Sequence, residues 1–144
     1  MAIVREPQAP CLRVLGDTLR LLLRSDDSPH QMAAMTVTVE PGGQVPLHTH
    51  RVEEEGYFVL AGQLSLTVDS TEYQLNPGDF AHVPPRTAHA YRNSGPEPAR
   101  FLAWTVGGPI DQFFTEMSDQ VRVMPDDAPR MLALMGRYGI EMVR

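Results

Sequence analysis

Glycine and proline turns divide the first 108 residues into short segments in which polar and apolar residues alternate. In the segment 31–39, Ala33, Met35, Val37 and Val39 share one face, because successive side chains of a strand point to opposite sides. Hardly any helical period precedes residue 109. Short strands between such turns predict an all-β fold, an antiparallel jelly-roll barrel. The other predicted strands cover residues 12–15, 18–24, 55–60, 63–69, 73–75, 80–83, 88–93 and 100–106, with a strand through His48 and His50 between them.

The period changes after Gly107-Gly108. Apolar residues then recur at spacings of three and four, which predicts two short helices over residues 109–117 and 126–138. We expect their apolar stripes to cover the sheet rather than to form a lid. The chain is therefore divided into an extended N-terminal arm (residues 1–10), a barrel (11–108) and a C-terminal helical tail (109–144) within one domain.

Three histidines and a glutamate, His48, His50, His89 and Glu55, are candidate metal ligands. His48 and His50 lie two residues apart and so point the same way from one strand. The charged residues 51–54 predict a turn, after which Glu55 opens the next strand, and His89 lies on a third. Imidazoles with one carboxylate suit Fe, Mn, Ni, Co, Cu or Zn better than Ca or Mg. These four residues predict a site for one divalent transition metal ion.

Two sets of spaced residues resemble the sequence motifs of the cupin family. The first motif is matched at all five of its fixed positions by Gly42, His48, His50, Glu55 and Gly62. The second is matched at four of five by Gly78, Pro84, His89 and Asn93, with Arg86 where the family usually has glycine. Residues 109–114 and 137–141 are similar to the ending of single-domain, RmlC-like cupins related to the quercetin dioxygenases.

This resemblance implies a cupin barrel in which Asn93 holds a loop, and a homodimer in which the N-terminal arm crosses to the partner. It also implies an O2-using dioxygenase that acts on a flavonol-like or other enolisable aromatic molecule. Glu55 would be both a metal ligand and the base that deprotonates the substrate. Three alternatives stay open: a non-redox cyclase or isomerase of the polyketide type that uses the metal as Lewis acid, a small-molecule-binding cupin without turnover, and a cupin that has lost its metal.

The pocket around the metal is expected to be apolar. Met35, Val37, Tyr57, Val59 and Tyr91 are predicted to point inward, which suits a small hydrophobic or aromatic ligand better than a sugar phosphate.

Three nearby polar residues are assigned away from the pocket. Strand alternation turns Glu54 away, and the motif spacing to Gly62 selects Glu55 instead. His82 is expected on the outer face, although an inward position beside a metal ligand stays open. His30 is expected to have no functional role.

Composition excludes several partners. The formal net charge is −6 and no Lys/Arg-rich run occurs, which argues against nucleic acid or an anionic membrane surface as a partner. Cys11 is the only cysteine, so no intrachain disulfide can form and a reducing, cytoplasmic location is expected. No signal-peptide pattern is present, and no apolar run approaches the roughly 20 residues of a membrane span.

Overall fold

The computed structural model describes residues 1–144, and two antiparallel sheets face each other in it. The larger sheet has six strands, in the spatial order β1 (Cys11–Val14), β2 (Asp17–Leu23), β3 (Ala33–Val39), β10 (Ala99–Val106), β5 (Glu54–Ala61) and β8 (Phe80–Val83). The smaller sheet has five, in the order β11 (Ile140–Met142), β4 (Gln44–His50), β9 (His89–Arg92), β6 (Leu64–Val68) and β7 (Thr71–Leu75). The predicted all-β jelly-roll barrel is confirmed.

The core lies between the two sheets. On β3 the apolar face that alternation predicted is buried, and Val37 pairs across the ladder with Phe101 of β10. Leu64 and Leu66 of β6 close the core from the opposite sheet. Each such side chain contributes about 1.5–3 kcal/mol by leaving water, so the inward alternation of the strands stabilises the barrel.

A tight turn joins β1 to β2. Leu15 and Gly16 have φ values of 50° and 92°, as a two-residue type I′ hairpin turn requires. This turn sets the register Val14↔Asp17 and makes Asp17 the first residue of β2. Asp17 is on the same face as the buried Leu19 and Leu21 and is itself buried.

Two helices follow the barrel, α1 (Ile110–Gln120) and α2 (Ala128–Arg137), as the helical period predicted. The chain then turns at Gly139, with a φ of 69°, and forms β11 along the edge of β4. This strand was not part of the predicted helical tail, since three residues are too few to show a period of two. Neither helix is long and apolar enough to cross a membrane.

The N-terminal segment differs in part from the predicted extended arm. Glu6–Gln8 forms a 3-10 turn, and Ala9 is buried. The Glu6 carboxylate pairs with Arg100 and accepts a hydrogen bond from Thr36, so these contacts fix the segment on the outer face of the larger sheet. Proline and alanine at this point gave no pattern that would have predicted the turn.

Candidate metal centre

His48 and His50 of β4 point into the barrel interior, and both imidazoles are buried. Their Nε2 atoms lie 3.1 Å apart. The Nδ1 of His48 is 2.8 Å from the carbonyl oxygen of Pro46. Because a carbonyl only accepts hydrogen bonds, this Nδ1 carries the proton and the Nε2 has a free lone pair.

His89 of β9 lies directly opposite His48 in the antiparallel ladder. It repeats the same arrangement, since its Nδ1 donates to the carbonyl oxygen of Thr87 at 2.9 Å. Ligand atoms of His48, His50 and His89 all lie within 4.8 Å of one another. The three histidines therefore form a cluster that can hold a metal ion.

Glu55 joins the cluster from the other sheet. Its Oε1 is 3.5 Å from the Nε2 of His50, and its Oε2 is 2.6 Å from the Nε2 of His89. The hydroxyl of Tyr57 donates to Oε2 at 3.2 Å. The carboxylate thus faces two imidazole nitrogens and is oriented by a neighbour on its own strand.

The donor atoms fit a divalent ion. The Nε2 of His89 has no aligned hydrogen-bond partner, although it lies close to Glu55. The Nε2 atoms of His48 and His50 face each other, and two lone pairs at this distance repel unless a proton or cation lies between them. Three imidazoles and one carboxylate are the donor set of first-row transition metals. The metal itself is not identified by this geometry.

Burial and charge hold His48 and Glu55 in the protonation states that a metal requires. Burial, together with the neighbouring His89 and His50, lowers the pKa of His48 to about 4. Burial raises the pKa of Glu55, but His50 and His89 outweigh it and bring that pKa to about 2. For His50, burial lowers the pKa while Glu55 and Glu53 raise it above the ordinary value. At neutral pH, His48 is therefore neutral and Glu55 ionised, as metal ligands must be.

A cavity of about 280 Å³ reaches this cluster, and 18 of its 24 wall residues are hydrophobic. Of the five residues predicted for the substrate pocket, Met35, Val37, Tyr57 and Tyr91 lie in the wall. Val59 is buried in the core but does not line the cavity. Alternation predicted its inward direction, whereas its place along the barrel depends on packing.

The helices also form part of the wall. Phe113, Phe114 and Met117 of α1 and Met131 and Met135 of α2 line the cavity. Their stripes therefore enclose a space above the cluster and do not only cover the sheet. Six of the eight methionines of the chain lie in this wall, and methionine is a flexible side chain that adapts to irregular shapes.

Residues assigned away from the site lie outside it. His82 is exposed on the outer face, where its Nε2 is 2.6 Å from Glu54 Oε1. His30 is also exposed. Asn93 is buried and donates through Nδ2 to the carbonyl oxygens of Val39 and Glu97, as expected for a residue that holds a loop.

Comparison with known proteins shows the family and the same fold. Residues 35–105 match the cupin domain family. Over 101 residues the chain is 30% identical to Protein SchB of Streptomyces halstedii, covering 69% of this chain and 73% of that protein. The chain belongs to the cupin family.

This cupin is also similar to two characterised proteins. It is 31% identical over 105 residues to Quercetin 2,3-dioxygenase of Bacillus subtilis (strain 168), which covers 72% of this chain but only 31% of that enzyme. The solved structure of the polyketide cyclase RemF from Streptomyces resistomycificus matches with a TM-score of 0.64 and 22% identity, covering 74% of this cupin and 79% of that chain. The similarity to the RemF structure shows that the two proteins share a fold.

Arg86 departs from the second cupin motif, which usually has glycine at this position. Its φ of 65° lies in the left-handed region that glycine favours. Its N–H donates to the carbonyl oxygen of His50 at 2.7 Å. Arginine therefore occupies a glycine-like conformation behind one of the candidate ligands.

Sequence reasoning missed Glu53, which it placed in a charged turn. The side chain is 1% exposed, and Oε2 lies 3.7 Å from the Nδ1 of His50. Neither carboxylate oxygen has a hydrogen-bond partner. A Cβ at position 108 would lie 2.3 Å from Oε1 of Glu53. The Glu53 side chain therefore packs so closely against Gly108 that a larger residue there would clash with it. No feature of the three-glutamate run marks Glu53 as buried.

Asp17 was also missed, since it was assigned to the turn before β2. It lines the cavity, and its Oδ2 accepts a hydrogen bond of 2.6 Å from the hydroxyl of Tyr91. A signal for its position was present, because Asp17 has the same parity as Leu19 and Leu21 on an alternating strand.

Proposed function

We propose that this cupin holds one divalent transition metal ion through His48, His50, His89 and Glu55 and is an O2-using dioxygenase. Its substrate would be a flavonol-like or other enolisable aromatic molecule. The observation that carries this proposal is the convergence of three imidazoles and a carboxylate, of which His48, His50 and Glu55 line an apolar cavity. The likeness to a quercetin dioxygenase supports the reaction class.

The cavity favours a small, flat, apolar substrate. Its volume of about 280 Å³ is near the lower end of the roughly 300–1,000 Å³ typical of small-molecule sites. No arginine or lysine lies in its wall, so it offers no cation to a phosphate or a carboxylate. Tyr57 and Phe101 add aromatic faces. An aromatic molecule fits this wall better than a charged sugar.

Glu55 is the group that would accept the substrate's proton. Its low pKa keeps it ionised, and Tyr57 and His89 both contact Oε2, which leaves Oε1 as the less occupied oxygen. When bound, a divalent ion lowers the pKa of a coordinated hydroxyl and, for redox-active metals, supplies the electron chemistry that O2 requires. Glu55 then needs only to lie within hydrogen-bonding distance of that hydroxyl.

A second candidate is a non-redox cyclase or isomerase in which the metal acts as a Lewis acid on an enolate. The structural likeness to a polyketide cyclase favours this alternative at the level of the fold. The same four donors would bind zinc, which has no redox cycle. A third candidate is a cupin that binds the same ligands without turnover.

Metal analysis and O2 uptake test these alternatives. Untagged protein is purified, its metals are measured by mass spectrometry, and quercetin is added in an oxygen electrode. We expect a redox-active metal and one O2 consumed for each quercetin, with both product and O2 uptake lost in Glu55→Ala. Turnover that continues without O2 would contradict the dioxygenase and support the cyclase or isomerase, whereas tight binding without turnover would support the binding protein.

We also propose a homodimer through the outer face of the larger sheet. Phe58 and Phe80 are paired across β5 and β8 and are 37% and 53% exposed. Trp104 stacks on Phe80 with ring centroids 5.2 Å apart, so the apolar surface is continuous. A Phe80→Glu variant should sediment as a monomer if this face is the interface.

We also propose a cytoplasmic location. Cys11 is a free, exposed thiol, which suits a reducing compartment.

A further inference from the structure

The cavity wall contains one carboxylate besides Glu55. Only six of its 24 residues are not hydrophobic, and they are Asp17, Pro46, His48, His50, Glu55 and Thr105. Three of these belong to the metal cluster, one is proline, and Thr105 is uncharged. Asp17 is therefore the only charged side chain in the wall outside the cluster.

Asp17 is buried and incompletely paired. It is 4% exposed, and the hydroxyl of Tyr91 is the one side-chain or backbone donor that its carboxylate has. Burial outweighs the opposing hydrogen bond from Tyr91 and raises the pKa of Asp17 to about 6. A buried carboxylate with unused lone pairs is costly, and a donor from a ligand would offset that cost.

The pair lies at a fixed separation from the metal cluster. Tyr91 is two residues beyond His89 on β9, so both side chains are on the inward face, with Cα atoms roughly 7 Å apart. Tyr91 then extends to Asp17 on the opposite sheet, while its ring packs edge-on against Phe101 at 5.5 Å between centroids. The wall of the cavity thus carries a second polar group, Asp17, besides the metal cluster.

We propose that Asp17 and Tyr91 form a second polar subsite, which accepts a hydrogen bond from a hydroxyl at the end of the ligand remote from the metal. This inference rests on the proposed function, and it narrows the substrate class to aromatic molecules with an oxygen that binds the metal and a hydroxyl at the far end. Both groups at this subsite offer acceptor oxygens, so an ether or an unsubstituted ring would bind there less well.

The test compares two flavonols that differ at one end. Galangin lacks the hydroxyls of the outer ring of quercetin and is otherwise identical. Protein loaded with Zn²⁺ is used, because zinc has no redox cycle and binding is then measured without turnover. Dissociation constants of both flavonols are measured without O2 for the wild type, Asp17→Asn, Tyr91→Phe and the control Asp69→Asn, whose carboxylate is exposed.

We expect the wild type to bind quercetin about 10-fold to 100-fold more tightly than galangin, as for a hydrogen bond to a charged group. In Asp17→Asn this ratio should fall toward one while the galangin constant stays within about twofold, and Tyr91→Phe should lose part of the preference. Asp69→Asn should keep the wild-type ratio. Thermal unfolding of each variant checks that it is folded.

Two results would overturn the subsite and leave the proposed function in place. One is that the wild type binds quercetin and galangin with equal affinity. The other is that Asp17→Asn weakens the binding of both flavonols equally, which would mean that the hydrogen bond between Asp17 and Tyr91 only holds β2 to β9. If the wild type binds neither flavonol, the proposed function and the subsite both fall.

Discussion

The Oε2 of Glu55 lies 2.6 Å from the Nε2 of His89, although the two residues belong to strands of different sheets. Glu55 is on β5 of the six-stranded sheet, and His89 is on β9 of the five-stranded sheet. A metal held by both residues would therefore connect the two halves of the barrel. Loss of the metal should affect the stability of the protein as well as its chemistry.

The metal content of two neighbouring glutamate variants should differ sharply. Glu55→Ala removes a buried donor of the cluster, and we expect the metal to be lost on dialysis. Glu54→Ala removes an exposed carboxylate that contacts only His82, so the metal content should match the wild type. Mass spectrometry of metals after dialysis gives the measurement. If both variants lose the metal equally, the loss in Glu55→Ala cannot be attributed to removal of a metal ligand.

Glu53→Gln should weaken metal binding through His50. The Glu53 carboxylate lies beside the Nδ1 of His50 and is the group placed to orient that ring, so we expect an affinity about 10-fold to 100-fold lower. Glu54→Gln makes the same chemical change at an exposed position and serves as the control. Competition with a chromogenic chelator measures both affinities. Unchanged affinity in Glu53→Gln would show that His50 needs no such partner.

Asp17→Asn should change how stability depends on pH. In the folded protein the pKa of Asp17 is raised from 3.8 to about 6, so the folded state binds the proton more tightly than the unfolded state. The contribution of Asp17 to stability is then greatest below pH 3.8 and is lost as pH rises to about 6. The loss is about 3 kcal/mol. The amide keeps an acceptor for Tyr91 but cannot ionise, so the variant avoids this loss.

Urea unfolding of metal-free protein between pH 4 and pH 7.5 tests this expectation. The free energy of unfolding of Asp17→Asn should exceed that of the wild type by up to about 3 kcal/mol at pH 7.5, with the difference vanishing near pH 4. Asp69→Asn, at an exposed position, should follow the wild type throughout. A constant difference between Asp17→Asn and the wild type would mean that burial does not raise this pKa.

Arg86→Gly should stabilise the protein. A left-handed conformation costs a non-glycine residue roughly 1–2 kcal/mol, and the greater freedom of glycine in the unfolded chain returns about 0.5–1 kcal/mol of this. We therefore expect a net gain of about 0.5–1 kcal/mol in the free energy of unfolding. Denaturant melts give the measurement. If Arg86→Gly is less stable than the wild type, contacts of the arginine side chain stabilise the protein by more than the left-handed conformation costs.

Much of the fold and of the site follows from local patterns. The period of two on β3 predicted which residues face the core, and the period of three to four predicted both helices. His48 and His50 point the same way because they are alternate residues of one strand. Such features need only neighbours in the chain, so the sequence is sufficient to predict them.

Other features depended on residues distant in the chain. Glu53 is buried only because Gly108 allows the backbone to pass beside it, and Asp17 is buried beside a hydroxyl from Tyr91, 74 positions later. Charged side chains are expected at the surface by default, so their burial requires partners that no local pattern names.

The sequence by itself determined the strands other than β11, the inward faces of most of them and the types of donor that a metal would meet. Only the tertiary structure decided that Glu55 and His89 meet across two sheets, that the helices enclose the cavity, and that Asp17 stands in its wall. The physical reason is that alternation is a property of a few consecutive residues, whereas the distance between two sheets is set by the packing of the whole core.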